Sequence, residues 1–134
     1  MRAFRNSDYD IKANKYTEHY LAQEHAQKII VSDKRVFEDG ESKAIIGFLN
    51  YNQNNYYGFF IINETFEARC IPMLKECIEK LSEEVQADRL ETESIACKEI
   101  DKWHKALGFE LEGTKTKSYN GQDMNIWRIL WNRS

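Results

Sequence analysis

The stretch that most constrains this chain is Tyr56-Tyr57-Gly58-Phe59-Phe60-Ile61-Ile62, an unbroken apolar and aromatic run of strand-favouring residues. A strand with one wet face alternates apolar and polar residues, whereas a continuous run implies a strand covered on both faces. Asn63-Glu64-Thr65 closes the run with turn-forming residues. Beyond it, Ile71, Leu74, Ile78, Leu81 and Val85 recur at spacings of three and four, one stripe of an amphipathic helix. Pro72 falls near the start of that helix, where a missing N–H does little harm. The unit expected is an interior strand, a short connection and a helix packed back on the sheet. The amides at such a helix start point outward and form a natural anion site.

The 134-residue chain reads as one domain, residues 1–134, able to bury about two-thirds of its unfolded surface. With 42% hydrophobic and 31% charged residues it has the composition of an ordinary globular protein. A net charge of −3 gives no electrostatic reason to expect nucleic acid or an anionic membrane as partner. No apolar run approaches the ~20 residues of a membrane span, and Met1-Arg2-Ala3-Phe4 does not begin a signal peptide. A cytoplasmic location, or carriage inside a particle assembled there, is the expectation. Cys70, Cys77 and Cys97 are odd in number, lack metal-site spacing and are expected to be reduced thiols.

In chain order, Arg2-Ala3-Phe4-Arg5 reads as a first strand, and Asn6, Ser7 or Asp8 as a helix cap. Ile11, Ala13, Tyr16, Tyr20, Leu21 and Ala26 predict one long helix or two short ones from Tyr9 to Ile30. His19 and His25 are six residues apart, not the spacing of a helical metal pair, and are expected at the surface. Strands are predicted over Arg35–Glu38 and Lys43–Tyr51, joined by Asp39-Gly40-Glu41-Ser42. Asn52-Gln53-Asn54-Asn55 then turns the chain into the central strand, completing a meander of three. Arg89–Ser94 alternates as a strand, and Cys97–Leu107 is a helix with Ile100, Trp103 and Leu107 on one face and Gly108 as its cap. Phe109–Tyr119 and Met124–Trp131 form a closing hairpin about Asn120-Gly121. The fold expected is α/β (α+β): a mixed, mostly antiparallel sheet of six or seven strands flanked by about four helices.

This order resembles the layout of the GNAT acyltransferases. The likeness is clearest over Tyr57–Leu81 and in Lys102-Trp103-His104-Lys105-Ala106-Leu107-Gly108-Phe109, which is similar to the family's aromatic-Glu-Lys-Leu-Gly-Phe signature. Arg2–Asp8 also fits the family's opening strand and first helix. The resemblance implies acyl-CoA, acetyl-CoA being the usual donor, bound where the central strand splays from the next one. Central-strand amides, here those of Ile61 and Ile62, would polarise the thioester carbonyl. The amides leading into the Ile71 helix, with Cys70 and Ile71, would hold the pyrophosphate.

The loop departs from the family pattern of Arg or Gln, two residues, Gly, one residue, then Gly or Ala. Glu67-Ala68-Arg69-Cys70-Ile71-Pro72 stands there instead. Cys70 replaces a glycine that lets backbone approach phosphate, Pro72 has no N–H, and Glu67 brings negative charge. Arg69 is the residue able to compensate by binding phosphate directly. The family's tyrosine acid corresponds to His104, whose ordinary pKa suits proton transfer near neutrality; a surface histidine on an amphipathic helix is the plainer reading. The family's helix asparagine corresponds to Cys97, which has no evident base and is not expected to act as a nucleophile. Glu64 is a candidate base for an incoming amine, with a solvated turn residue as the plainer reading. Tyr119, Trp127 and Trp131 are candidates for a substrate groove or for the core.

Two functions follow from the resemblance. One is an N-acetyltransferase moving acetyl from acetyl-CoA to a primary amine. The other is a degenerate GNAT-fold structural or interaction protein, similar to small bacteriophage proteins that include internal virion components, with self-association or virion assembly partners. A lesser third is a module that retains CoA or another nucleotide without turning it over.

Overall fold

A computed structural model describes residues 1–21, 29–30 and 32–132. Seven strands form one sheet: β1 (Arg2–Ala3), β2 (Asp33–Asp39), β3 (Ser42–Asn52), β4 (Asn55–Ile62), β5 (Arg89–Ile95), β6 (Glu110–Tyr119) and β7 (Gln122–Leu130). Their spatial order is β1-β2-β3-β4-β5-β7-β6. Every pairing is antiparallel except β4 with β5. The continuous apolar run is thus the middle strand of seven, covered on both faces.

The two faces of β4 belong to different clusters. Phe60 and Ile62 join Ile46, Phe48, Leu90 and Trp127 beneath helix α1 (Ile71–Glu84). Phe59 and Ile61 join Ile45 and, from the N-terminal segment, Ile11 and Tyr20. Leu74, Ile78 and Leu81 of α1 are wholly buried, each worth about 1.5–3 kcal/mol relative to exposure. Helix α2 (Lys98–Ala106) buries Ile100 and half-buries Trp103, and its chain leaves through Gly108 at φ +97°, a left-handed conformation that glycine adopts without strain.

The turns follow their residues. Asn120 and Gly121 both have positive φ, 48° and 76°, as a tight type I′ hairpin requires. Gly40 at φ 58° turns β2 into β3.

The N-terminal region differs from expectation. Two long helices, not about four, stand among the described residues. Between Tyr9 and Ile30, where the apolar pattern predicts helix, the chain has 3-10 turns at Asn6–Asp10 and Glu18–Leu21, and of the later residues only Ile29 and Ile30 are described, as helical. Ala26 and His25 lie outside the described residues. The physical reason is Asn14, whose Oδ1 accepts the N–H groups of Tyr16 and Thr17 at 3.1 and 3.0 Å. A side chain that captures nearby amides in this way competes with a helix. Nor do Asn6, Ser7 or Asp8 cap the first turn: Arg5 is the cap residue, and Asp8 sits three positions on, accepting its N–H at 2.7 Å. His19, expected at the surface, is 6% exposed, tilted against Tyr20 with ring centroids 4.1 Å apart. No described helix is long and apolar enough to cross a membrane.

Candidate active site

The parallel pairing of β4 with β5 lasts for only three residue pairs, Asn55 with Arg89, Tyr56 with Leu90 and Tyr57 with Glu91. Beyond Tyr57 the strands splay. Gly58 C=O still accepts a bond from Thr92 Oγ1 at 3.0 Å. Residues two apart on a strand turn their backbone groups to the same side, so Phe60 and Ile62 also turn theirs into the split. Ile61 is one residue out of phase, so its backbone groups turn the opposite way, toward β3. The amides that face the split are therefore those of Phe60 and Ile62. Of the two central-strand residues expected, Ile62 turns its backbone to the split, its N–H donating to Thr17 Oγ1 at 3.1 Å, and Ile61 turns its backbone toward β3.

The floor of the split is a slot of about 20 Å³ whose walls include Phe60, Ile62, Tyr16, Thr17, Ile100 and His104. That volume suits about one water molecule. His104 projects from α2 into this wall, half-buried. Its Nδ1 lies 2.9 Å from Ile100 C=O; a carbonyl only accepts, so Nδ1 carries the proton and Nε2 the lone pair. Burial lowers the pKa of the ring from the ordinary 6.5, against smaller raising effects of the Ile100 carbonyl and Asp101. The imidazole is consequently neutral near pH 7.

Across the sheet, on the face away from the helices, lies a cleft of about 610 Å³. Tyr57, Phe59, Glu91, Glu93, Lys115 and Tyr119 line it. Glu93 is paired with Lys115 at 2.8 Å and Glu91 with Arg89 at 2.9 Å. Tyr20 lines both the cleft and the slot. Its hydroxyl donates to Glu93 C=O at 2.7 Å and lies 3.2 Å from Thr92 Oγ1. Burial is the main cause that pushes its pKa up to about 12.

The loop before α1 has largely consumed its own donors. The amide of Glu67 donates to Ser42 Oγ at 2.9 Å, that of Cys70 to Glu67 C=O at 2.9 Å, and that of Ile71 to Ala68 C=O. Pro72 has no amide to give. What this loop can still offer an anion is the pair of amides at Ala68 and Arg69 and the Arg69 guanidinium. The side chains of Cys70 and Ile71 are 0% and 6% exposed and face the core. Arg69 is exposed but engaged by Glu67 at 3.0 Å and Asp39 at 3.4 Å.

Other candidates are placed apart. Glu64 lines a separate cleft of about 300 Å³ with Asp10, Lys12 and Lys43, so the structure does not bring it to His104. Trp127 is core, its Nε1–H donating to Ser94 Oγ at 2.9 Å. Trp131 is half-buried against the same core, and Tyr119 is the one of the three that reaches a cleft. Cys97 is the half-buried residue preceding α2. Thr17, Tyr20 and Phe60 were not among the site residues the sequence suggested; only the resemblance, by implying a splayed central strand, hinted at Phe60.

No family model and no curated protein matches the sequence. Solved structures do. A Bacillus subtilis acetyltransferase in complex with CoA superposes with a TM-score of 0.70 at 12% identity, over 98% of this chain and 96% of that one. A spermidine N-acetyltransferase mutant from Vibrio cholerae gives 0.69 at 14% identity, over 96% and 91%. A GNAT-family acetyltransferase from Bacillus anthracis gives 0.55 at 15% identity, over 65% of this chain and 57% of that one, so this chain spans little more than half its length. The chain therefore has the GNAT acetyltransferase fold.

Proposed function

We infer that the protein binds an acyl-CoA, with acetyl-CoA as the reference donor, in the split between β4 and β5, and transfers the acyl group to an amine entering from the 610 Å³ cleft. The observation that carries this reading is the early end of the β4–β5 ladder, which turns the backbone of Phe60 and Ile62 toward a slot walled by His104. An amide aimed at a thioester oxygen polarises the carbonyl and stabilises the charge that develops there. In the transfer the amine nitrogen bonds to the acyl carbon, the carbon–sulfur bond breaks, the amine loses a proton and the thiolate gains one. His104 stands on the helix side of the split, across from the amine cleft, and in its imidazolium form, populated as pH falls through its lowered pKa, Nε2–H supplies the proton that sulfur takes up. The diphosphate falls to Arg69 and the amides of Ala68 and Arg69. Glu64 remains a candidate base only for an acceptor that reaches it from its own cleft. The spermidine enzyme and the CoA complex among the structural neighbours support this reading.

A second reading is a GNAT-fold protein that has given up turnover and serves an interaction or virion role. The observation favouring it is the loop itself, with three of its amides turned inward and Arg69 already paired. Acetyl-CoA turnover over a panel of primary amines, run with a thermal-shift titration, separates the two. A saturable shift with product formation supports the transferase. A shift without product identifies a binding module, and neither effect favours the non-catalytic reading.

A further inference from the structure

The mouth of the split is crossed by the protein's own chain. Residues 12–17 run along the end of β4 on the side that β5 has left. Glu64 N–H donates to Lys12 C=O at 2.9 Å, and Asn14 N–H to Ile62 C=O at 2.7 Å. Ala13 and Asn63 form an antiparallel bridge. Thr17 completes the row, its Oγ1 accepting Ile62 N–H at 3.1 Å. The same hydroxyl has Asn14 Oδ1 at 3.0 Å and Ile62 C=O at 3.2 Å as acceptors for its one proton. Three residues later Tyr20 bonds to the opposite bank at Glu93 and Thr92. The segment therefore spans the split, tied to β4 by Thr17 and to β5 by Tyr20.

We propose that Thr17 is a built-in competitor of the acyl donor: its hydroxyl occupies the Ile62 amide, and the donor's carbonyl binds there only by displacing it. Two independent observations support the exchange. A slot of about 20 Å³ holds about one water and no acyl group while the strap is closed. Thr17 is also 8% exposed and seated by Asn14, so its hydroxyl is preorganised where it blocks. The ligand chemistry required is a carbonyl acceptor on a narrow unbranched arm, as a thioester on an amide-bearing chain provides. The exchange rests on the acyl-donor reading above.

The test compares the intact protein with Thr17→Val, which keeps shape and removes the hydroxyl, and Thr17→Ser, which restores it. In the valine variant Ile62 N–H loses its partner in the ligand-free protein. A carbonyl from the donor then satisfies an orphaned group, so acetyl-CoA should bind about 3–10-fold more tightly, the weight of one hydrogen bond. Exchange of the Ile62 amide with solvent deuterium should quicken by a similar factor in the valine variant, and acetyl-CoA should slow it again. The serine variant should match the intact protein in both. A merely structural threonine predicts the opposite sign, weaker binding on its loss. Acetyl-CoA bound by all three proteins with equal affinity, or an Ile62 exchange rate unmoved by Thr17→Val, overturns the competitor. Absence of acetyl-CoA binding in all three overturns the acyl-donor reading and the exchange together.

Discussion

His104 lies against Trp127 almost flat, ring centroids 5.2 Å apart and planes 17° from parallel, while its Nδ1–H is held by Ile100. Burial of the ring in this packing favours its neutral form and disfavours the charged one. Two pH effects of opposite sign follow. The folded pKa is below the unfolded value near 6.5, so the unfolded chain binds the extra proton first. Stability is full above pH 6.5 and falls as pH drops below it. Melting temperature against pH should show that slope, and His104→Phe should flatten it. A slope unchanged in the variant assigns the titration to another group.

Catalysis by the same residue runs the other way. Only protonated His104 can give a proton to sulfur, so its contribution falls as pH rises through a pKa lower than 6.5. His104→Ala should lower kcat by about 10²–10⁴-fold with acetyl-CoA binding retained. The kcat profile of the intact protein should decline from the acidic side. Equal turnover in both proteins removes His104 from the mechanism.

Arg69 gives a paired prediction. Glu67 competes with a diphosphate for this guanidinium. Arg69→Ala should weaken acetyl-CoA binding about tenfold, the loss of one charge-assisted contact. Glu67→Gln should strengthen it and steepen its salt dependence. Calorimetric titration at low and high salt reads both, and affinities unchanged in both variants place the phosphates elsewhere.

Asp8 tests the N-terminal architecture. It is 1% exposed, held by Arg2 at 2.7 Å, Lys43 at 2.8 Å and the Arg5 amide. The Arg2 guanidinium, ahead of Lys43 and that amide, holds its carboxyl well below the usual carboxylate range despite burial. Its stabilisation is therefore present above the ordinary value of 3.8 and is lost as pH falls below it. Asp8→Asn should lower stability by about 1.5–3 kcal/mol in urea at pH 7 and remove the steep loss below pH 4. Intact stability in the variant would show that the turn is held by other contacts.

Gly58 marks where the split opens. A Cβ there would stand 3.0 Å from Leu90 Cδ1 and from the Phe60 ring, both buried. Gly58→Ala should destabilise by about 1–3 kcal/mol through overpacking, read by urea denaturation. A neutral result would show that the two side chains have room to move aside.

The legible parts of the fold are those whose cause is local. Tyr56–Ile62 reads as an interior strand because its residues are apolar on both faces, and the α1 stripe because its spacing is helical. Asn120-Gly121 announces its turn through its own backbone preferences. The illegible parts depend on distant partners. Asn14 and Thr17 look like ordinary helix residues until Ile62, 45 positions after Thr17, accepts and donates to them. His19 reads as surface until Tyr20 and Tyr119 close on it. In the proposed site, the Leu107-Gly108-Phe109 resemblance pointed to His104, and the Glu67–Pro72 residues pointed to a loop with few donors to spare. Phe60 went unnoticed because its proposed role belongs to its backbone, which a sequence does not display.

Titration of ¹⁵N-labelled protein with acetyl-CoA reads out whether the β4–β5 split receives an acyl donor. Saturable shifts are expected, centred on the amides of Phe60 and Ile62 and extending to Thr17 as the strap is displaced and to Ala68 and Arg69 as the diphosphate settles. No shifts at saturating acetyl-CoA, or shifts confined to residues outside the split and its loop, would contradict binding in the split.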